Sequence, residues 1–75
     1  MRPFDRLVWW HVYQEGGWHS REEIGDDLGL SARERMRLRH ALYRLARDGY
    51  LASRADPAGH PVYGVTAACL QPPGA

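Results

Sequence analysis

Arginine and histidine side chains recur at helical spacing between residues 33 and 47 of this 75-residue chain. Intervals of four, three, four and three residues place five of them in one row on a helix: Arg33, Arg37, His40, Arg44 and Arg47. Guanidinium groups can form paired hydrogen bonds with phosphate oxygens or with guanine. Few acids lie nearby, because we expect Glu34 in a helix cap and Asp48 within reach of Arg44 alone. The row predicts a nucleic-acid-binding face, with a solvated helix face as the alternative.

Two more basic residues follow this row, Arg54 in a β-prone run and His60 in the next turn. From there they could reach a neighbouring DNA backbone or minor groove. Ordinary loop polarity is the alternative, and the sequence leaves both interpretations open.

The other reactive side chains form no catalytic or metal-binding pattern. The four histidines and Cys69 lack the paired close spacing of a zinc site. Gly16-Gly17 is not followed by the Lys-Ser/Thr of a phosphate loop, and the adjacent Asp26 and Asp27 point to different sides of a helix. We therefore expect no enzyme, no metal, no cofactor and no small-molecule ligand.

A helix must carry the basic row, and two capping motifs predict where helices begin. Serine followed three residues later by glutamate occurs at Ser20 with Glu23 and again at Ser31 with Glu34. The third helix should therefore run from residue 32 to about residue 48, with Gly49 ending it. Its inner face is apolar: Leu38, Ala41, Leu42 and Leu45.

The first helix should begin at Pro3 and stop at Gly16-Gly17. Its predicted core stripe consists of Phe4, Leu7, Val8, His11 and Val12. Trp9, Trp10 and Tyr13 fall outside this stripe, so they are either covered within the chain or form an interface with a second copy or another protein.

After Gly49, residues 50–55 and 62–66 are β-prone and the segment between them is rich in turn residues. Trp18 and His19 should form a short extended piece before the second helix. We predict one domain over residues 1–66 and a flexible tail over residues 67–75.

The pattern of these segments resembles the winged helix-turn-helix DNA-binding domains of small bacterial and phage transcription regulators. The resemblance lies in Ile24…Leu28-Gly29-Leu30-Ser31, Ala41-Leu42…Leu45…Asp48-Gly49-Tyr50-Leu51 and Pro61-Val62-Tyr63-Gly64-Val65-Thr66. It implies a mainly α (α+β) fold with three helices and a two-stranded β-hairpin wing. It also implies sequence-specific binding of double-stranded DNA in transcriptional regulation, with residues 32–48 in the major groove and residues 50–66 as the wing. On this basis Arg37 and His40 are candidates for base contacts, and Arg44 for a phosphate contact.

The chief rival is a winged-helix adaptor that binds a protein instead of DNA, through Trp9, Trp10 and Tyr13 or through the acidic Glu22 and Asp26. Packing of Arg37, His40 and Arg44 against acids, or their coverage by the tail, would favour that adaptor. A DNA-binding protein of this size would be expected to act as a homodimer, because one module buries limited surface on DNA.

The net charge of +1 hides an uneven distribution, negative over residues 1–30 and positive over residues 31–75. A single cysteine cannot form an internal disulfide, which favours a reducing cytoplasmic location. The apolar run over residues 7–13 is too short to span a bilayer, so no membrane partner is expected.

Overall fold

Three helices and three short strands follow one another along residues 1–70, the part of the chain that the computed structural model describes. In chain order they are α1 (Pro3–Glu15), β1 (His19–Ser20), α2 (Arg21–Asp27), α3 (Ala32–Arg47), β2 (Ala52–Ala55) and β3 (Pro61–Gly64), followed by a short 3₁₀ helix (Ala67–Leu70). The fold is a small α+β domain. Of the predicted flexible tail, residues 67–70 form the 3₁₀ helix and residues 71–75 lie outside the described residues.

Both predicted capping motifs form. The Ser20 hydroxyl accepts a hydrogen bond from the Glu23 amide at 3.1 Å, and the Ser31 hydroxyl accepts one from the Glu34 amide at 3.2 Å. The Glu34 carboxylate accepts from the Ser31 amide in return, which lowers the pKa of Glu34. Gly29, at a φ of +64°, turns the chain between α2 and α3 in the left-handed region that favours glycine. Local chemistry thus sets the start of α3, the helix that carries the basic row.

The core lies where all three helices meet. Its fully buried side chains are Val8, Val12, Ile24, Leu38, Leu42 and Leu45. Each such side chain contributes about 1.5–3 kcal/mol by leaving water. The prediction that Leu7 belongs to the core is wrong, because 50% of it is exposed. The buried residues of α1 are Asp5, Val8 and Val12, and Asp5 pairs with Arg44 of α3. Leu7 lies outside this buried side of the helix.

The sheet has three antiparallel strands in the order β1-β3-β2, so the prediction of a two-stranded hairpin is wrong in strand number. The hairpin itself forms, with Ser53 opposite Tyr63, and β1 adds to its other side with His19 opposite Tyr63. The close approach requires glycine at position 64, since a Cβ there would lie 2.7 Å from the Gly17 carbonyl oxygen. The short extended piece predicted at Trp18-His19 lies one residue later in the structure, where His19–Ser20 forms β1 of the sheet.

Among residues 1–70, no helix is both long enough and apolar enough to cross a membrane.

Candidate nucleic-acid interface

One side of α3 faces solvent along its whole length. It lies opposite the core residues and consists of Arg33, Met36, His40, Tyr43 and Arg47, here called the outer face. Met36 and Tyr43 are 70% and 67% exposed, although both are large and apolar. The outer face therefore combines cations with exposed apolar surface, and its 16-residue helix is held from behind by the core.

The Arg44 side chain, predicted in the basic row, binds an acid from α1. Its Nε and Nη2 groups donate to the two carboxylate oxygens of Asp5, both at 2.9 Å. Asp5 is only 4% exposed, and the hydrogen bonds from Arg44 hold the pKa of that carboxyl below its ordinary value. The expectation that Asp48 would pair with Arg44 is wrong, because Asp5 lies closer in space despite 39 residues of sequence separation. Arg44 thus joins α1 to α3.

Asp48 pairs instead with its neighbour Arg47, whose Nε donates at 3.0 Å. This hydrogen bond lowers the pKa of Asp48 and raises that of Arg47. Both side chains are about half exposed, so water screens the pair and phosphate could compete for Arg47.

Arg37 lies on the flank of α3 that faces the start of α1. Its guanidinium carbon stands 4.6 Å from the centre of the Phe4 ring, a cation–π arrangement. Arg37, His40 and Arg44 line a groove of about 370 Å³ together with Arg2 and Asp5. Among residues 1–70, no carboxylate oxygen lies within 4.0 Å of the guanidinium nitrogens of Arg37 or the imidazole nitrogens of His40. Of the three side chains that would mark an adaptor by pairing with acids, only Arg44 does so.

The hairpin presents its two predicted side chains on a braced scaffold. Arg54 stacks on the Trp18 ring, with its guanidinium carbon 4.2 Å from the ring centre. The Asp56 carboxylate closes the connecting loop by accepting from the amides of Ala58 and His60, at 2.9 and 2.8 Å. The His60 side chain is exposed beyond this loop. The groove that joins the hairpin to Tyr43 of the outer face is lined by Ser53, Pro61 and Tyr63 and not by Arg54 or His60.

Arg39 and Arg21 were missed by the sequence reasoning. Arg39 lies on the flank of α3 away from Arg37, and it shares a groove of about 550 Å³ with Arg21, Tyr43, Ser53 and Tyr63. Arg39 could have been found by measuring angles around the helix, because it lies about as far from the apolar face as Arg37 and Arg44 do, and four residues before Tyr43. Arg21 had no local signal, since only the pairing of β1 with β3 brings it near the hairpin.

The Arg35 side chain links α3 to α2 and is not part of the outer face. Its Nε donates to the Leu30 carbonyl at 3.1 Å and its Nη2 to Asp26 at 2.8 Å, and its side chain packs over Gly25. These bonds tie α3 to α2 across the turn.

The three aromatic residues predicted at an interface stack together, with the Trp9 and Tyr13 ring centres 5.2 Å apart, but they differ in exposure. Trp9 packs against the core, and its indole N–H donates to the Tyr50 carbonyl at 2.9 Å. Trp10 is 49% exposed and stacks on the exposed Tyr13 with ring centres 5.6 Å apart. With Leu7 they form an exposed apolar surface on α1, here called the α1 surface.

The histidines outside α3 pair separately. His11 lies 3.3 Å from an Asp27 carboxylate oxygen, and His19 contacts the Gly16 carbonyl oxygen at 2.5 Å. Within residues 1–70, no three His, Cys, Asp or Glu side chains converge in a way that could hold a metal ion.

Comparison of the chain with protein-family models, with curated proteins and with solved structures finds no match. The surface of α3 and its surroundings therefore provide the basis for a functional assignment.

Proposed function

We propose that this protein binds duplex DNA through the outer face of α3 and acts in sequence-specific transcriptional regulation. In this proposal the domain works as a winged helix-turn-helix, with α3 as the recognition helix and the β2–β3 hairpin as the wing. The observation that carries the proposal is the outer face itself. Arg33, His40 and Arg47 project from a helix whose opposite side is fixed in the core.

The dimensions of α3 suit this role. A helix with its side chains is about 10–12 Å across, and the major groove of B-DNA is about 12 Å wide. Sixteen residues span about 24 Å, enough to present several base-facing side chains. We assign base contacts to His40, Met36 and Tyr43, because they occupy the most solvent-exposed side of α3 and because apolar side chains can contact thymine methyl groups.

The arginines around this centre would bind phosphate. Arg33, Arg37, Arg47 and Arg54 remain accessible, whereas the bidentate bond to Asp5 occupies Arg44. We therefore assign Arg44 to positioning α1 against α3, and Arg37 to a phosphate contact. His60, exposed at the hairpin loop, is the second contact of the wing.

Fluorescence anisotropy with labelled duplex DNA tests the proposal. The four arginine–phosphate contacts predict that log affinity falls against log salt with a slope of about −3.6. His40→Ala should reduce the preference for a selected site over random duplex, whereas Arg6→Gln, an exposed change on α1, should leave it unchanged. A salt-independent affinity, or no binding to selected duplexes, would contradict the proposal.

The α1 surface supports a second proposal, that the protein acts as a homodimer. Leu7, Trp10 and Tyr13 are each about half exposed, and a second copy could cover them. Two domains would also supply the DNA contact area that one small module lacks.

A cytoplasmic location would keep Cys69 reduced and give access to DNA.

The same α1 surface also favours the second candidate function, a protein-interaction module that does not bind DNA. Loss of partner binding on Trp10→Glu, together with absent duplex binding, would establish that alternative.

A further inference from the structure

The groove beside Arg39 has a composition suited to an anion. It is bounded by α3, by the first residue of α2 and by both strands of the hairpin. Arg21 and Arg39 supply guanidinium groups, Ser53 and Tyr63 supply hydroxyl groups, and Tyr43 of the outer face lines one edge. These groups can all donate hydrogen bonds, as a phosphate oxygen requires. We name it the hairpin groove.

The hairpin groove also lacks acids. Its lining contains no carboxylate, whereas the four other grooves described among residues 1–70 each include aspartate or glutamate. Neither Arg21 nor Arg39 has a carboxylate oxygen within 4.0 Å in that part of the chain. An entering anion would therefore meet donors without a competing negative charge.

The three-stranded sheet assembles this groove. Ser53 and Tyr63 are paired opposite each other on β2 and β3, so their side chains lie on the same face of the sheet. Arg21 directly follows β1, whose residues His19 and Ser20 pair with Tyr63 and Val62. The third strand thus places a guanidinium group from α2 beside the hairpin.

The groove is continuous with the proposed DNA-binding surface, because Tyr43 belongs to both the outer face and the groove. When a helix occupies the major groove, the two phosphate backbones run along its flanks. We infer that the hairpin groove binds backbone phosphate of duplex DNA, contributing contacts from Arg21 and Arg39 beyond those of α3's outer face. This inference rests on the proposed DNA-binding function.

The salt dependence of DNA binding provides the test, measured by anisotropy on the full chain with a labelled mixed-sequence duplex. Two added contacts bring the total to six and the slope to about −5.4, since each contact adds about 0.9. Arg21→Gln and Arg39→Gln should each make the slope shallower by about 0.9. When salt rises from about 50 to 200 mM, the fold-loss of affinity should therefore be about 3.5 times smaller for each variant than for the unaltered protein. For the double variant it should be about 12 times smaller.

Arg6→Gln is the matched control, because it removes one exposed arginine of α1 that does not line the groove. Arg39→Lys keeps the charge and should retain the slope of the unaltered protein. Thermal unfolding by circular dichroism identifies any variant whose fold is damaged. In that case Tyr63→Phe and Ser53→Ala, which remove hydroxyl groups only, should still weaken binding to all duplexes alike.

The possible outcomes distinguish the hairpin-groove inference from the proposed DNA-binding function. Slopes for Arg21→Gln and Arg39→Gln equal to that of Arg6→Gln would overturn the groove while leaving DNA binding intact. Absence of duplex binding by the unaltered protein would overturn both. Inorganic phosphate is the second arm. Shifts of the Ser53 and Tyr63 NMR signals with phosphate, combined with unchanged duplex slopes in the variants, would assign the groove to a small anion and overturn the inference.

Discussion

Replacing Gly64 with alanine tests how closely β3 is held against the chain before β1. The added Cβ would lie 2.7 Å from the Gly17 carbonyl oxygen and 3.2 Å from the Trp18 ring. The ring could move, but the carbonyl belongs to the backbone that leads into β1. Overpacking of this kind costs about 1–3 kcal/mol, and alanine regains about 0.5–1 kcal/mol over glycine in a strand. We expect a net loss of about 1–2 kcal/mol.

Thermal and urea unfolding measure this loss, which should lower Tm by about 4–16 °C in a domain of this size. Gly25→Ala is the matched control. Its Cβ would also stand 2.7 Å from another atom, but that atom is the end of the flexible Arg35 side chain. Moving the guanidinium would weaken its bonds to Leu30 and Asp26, but alanine improves helix propensity by about 1 kcal/mol, so the net loss of stability should be smaller than that of Gly64→Ala.

A stability increase of about 0.5–1 kcal/mol for Gly64→Ala would refute this reasoning. It is the result expected for an ordinary strand glycine with open space beside it. The pairing of β1 with β3 would then be incorrect, and the origin of the hairpin groove with it.

Three further predictions concern the ion pair, the helix cap and the α1 surface. The pKa of Asp5 is lowered in the folded state, so the ionised carboxylate stabilises the fold above a pH of about 4, and this stabilisation is lost as pH falls further. Urea unfolding from pH 5 to pH 2 should show this loss of stability. The Asp5→Asn variant, already destabilised at neutral pH, should lose less stability over the same pH range. Ser31→Ala removes the N-terminal cap of α3 and should lower the free energy of unfolding by about 1 kcal/mol, measured by urea unfolding. Ser53→Ala, on an exposed part of β2, should change stability little. Equal losses of stability in the two variants would show that the cap has no special role. Trp10→Glu should yield a folded monomer with weakened DNA binding, and sedimentation of the unaltered protein as a monomer at high concentration would contradict the dimer.

The helices could be predicted from the sequence because their signals are local. Ser20 with Glu23 and Ser31 with Glu34 are each three residues apart, and both motifs form. The apolar spacing of α3 likewise identified its buried side, including Leu38 and Leu42. The sequence indicated an extended piece at Trp18-His19 but not its pairing with β3, because two paired residues carry little β pattern and their partners are more than 40 residues away.

The candidate site could be predicted only in outline for the same reason. Regular spacing found the arginines of α3 but could not show that Arg44 would bind Asp5, 39 residues earlier. It also favoured one flank of α3 over the other and so missed Arg39. Long-range geometry, which no local pattern encodes, determines which of these cations are accessible.

The strand order has a consequence for how the domain is made. Among the strands of residues 1–70, β3 is central in the sheet but last in sequence, and β1 and β2 each pair with it and not with each other. During synthesis from the amino terminus, the helices can therefore form while neither earlier strand has a partner. A chain ending before Pro61 would have no strand pairing at all, and sheet formation would wait for the final segment. Hydrogen exchange at the His19 and Ser20 amides, compared between the full chain and such a truncation, would report this late closure directly.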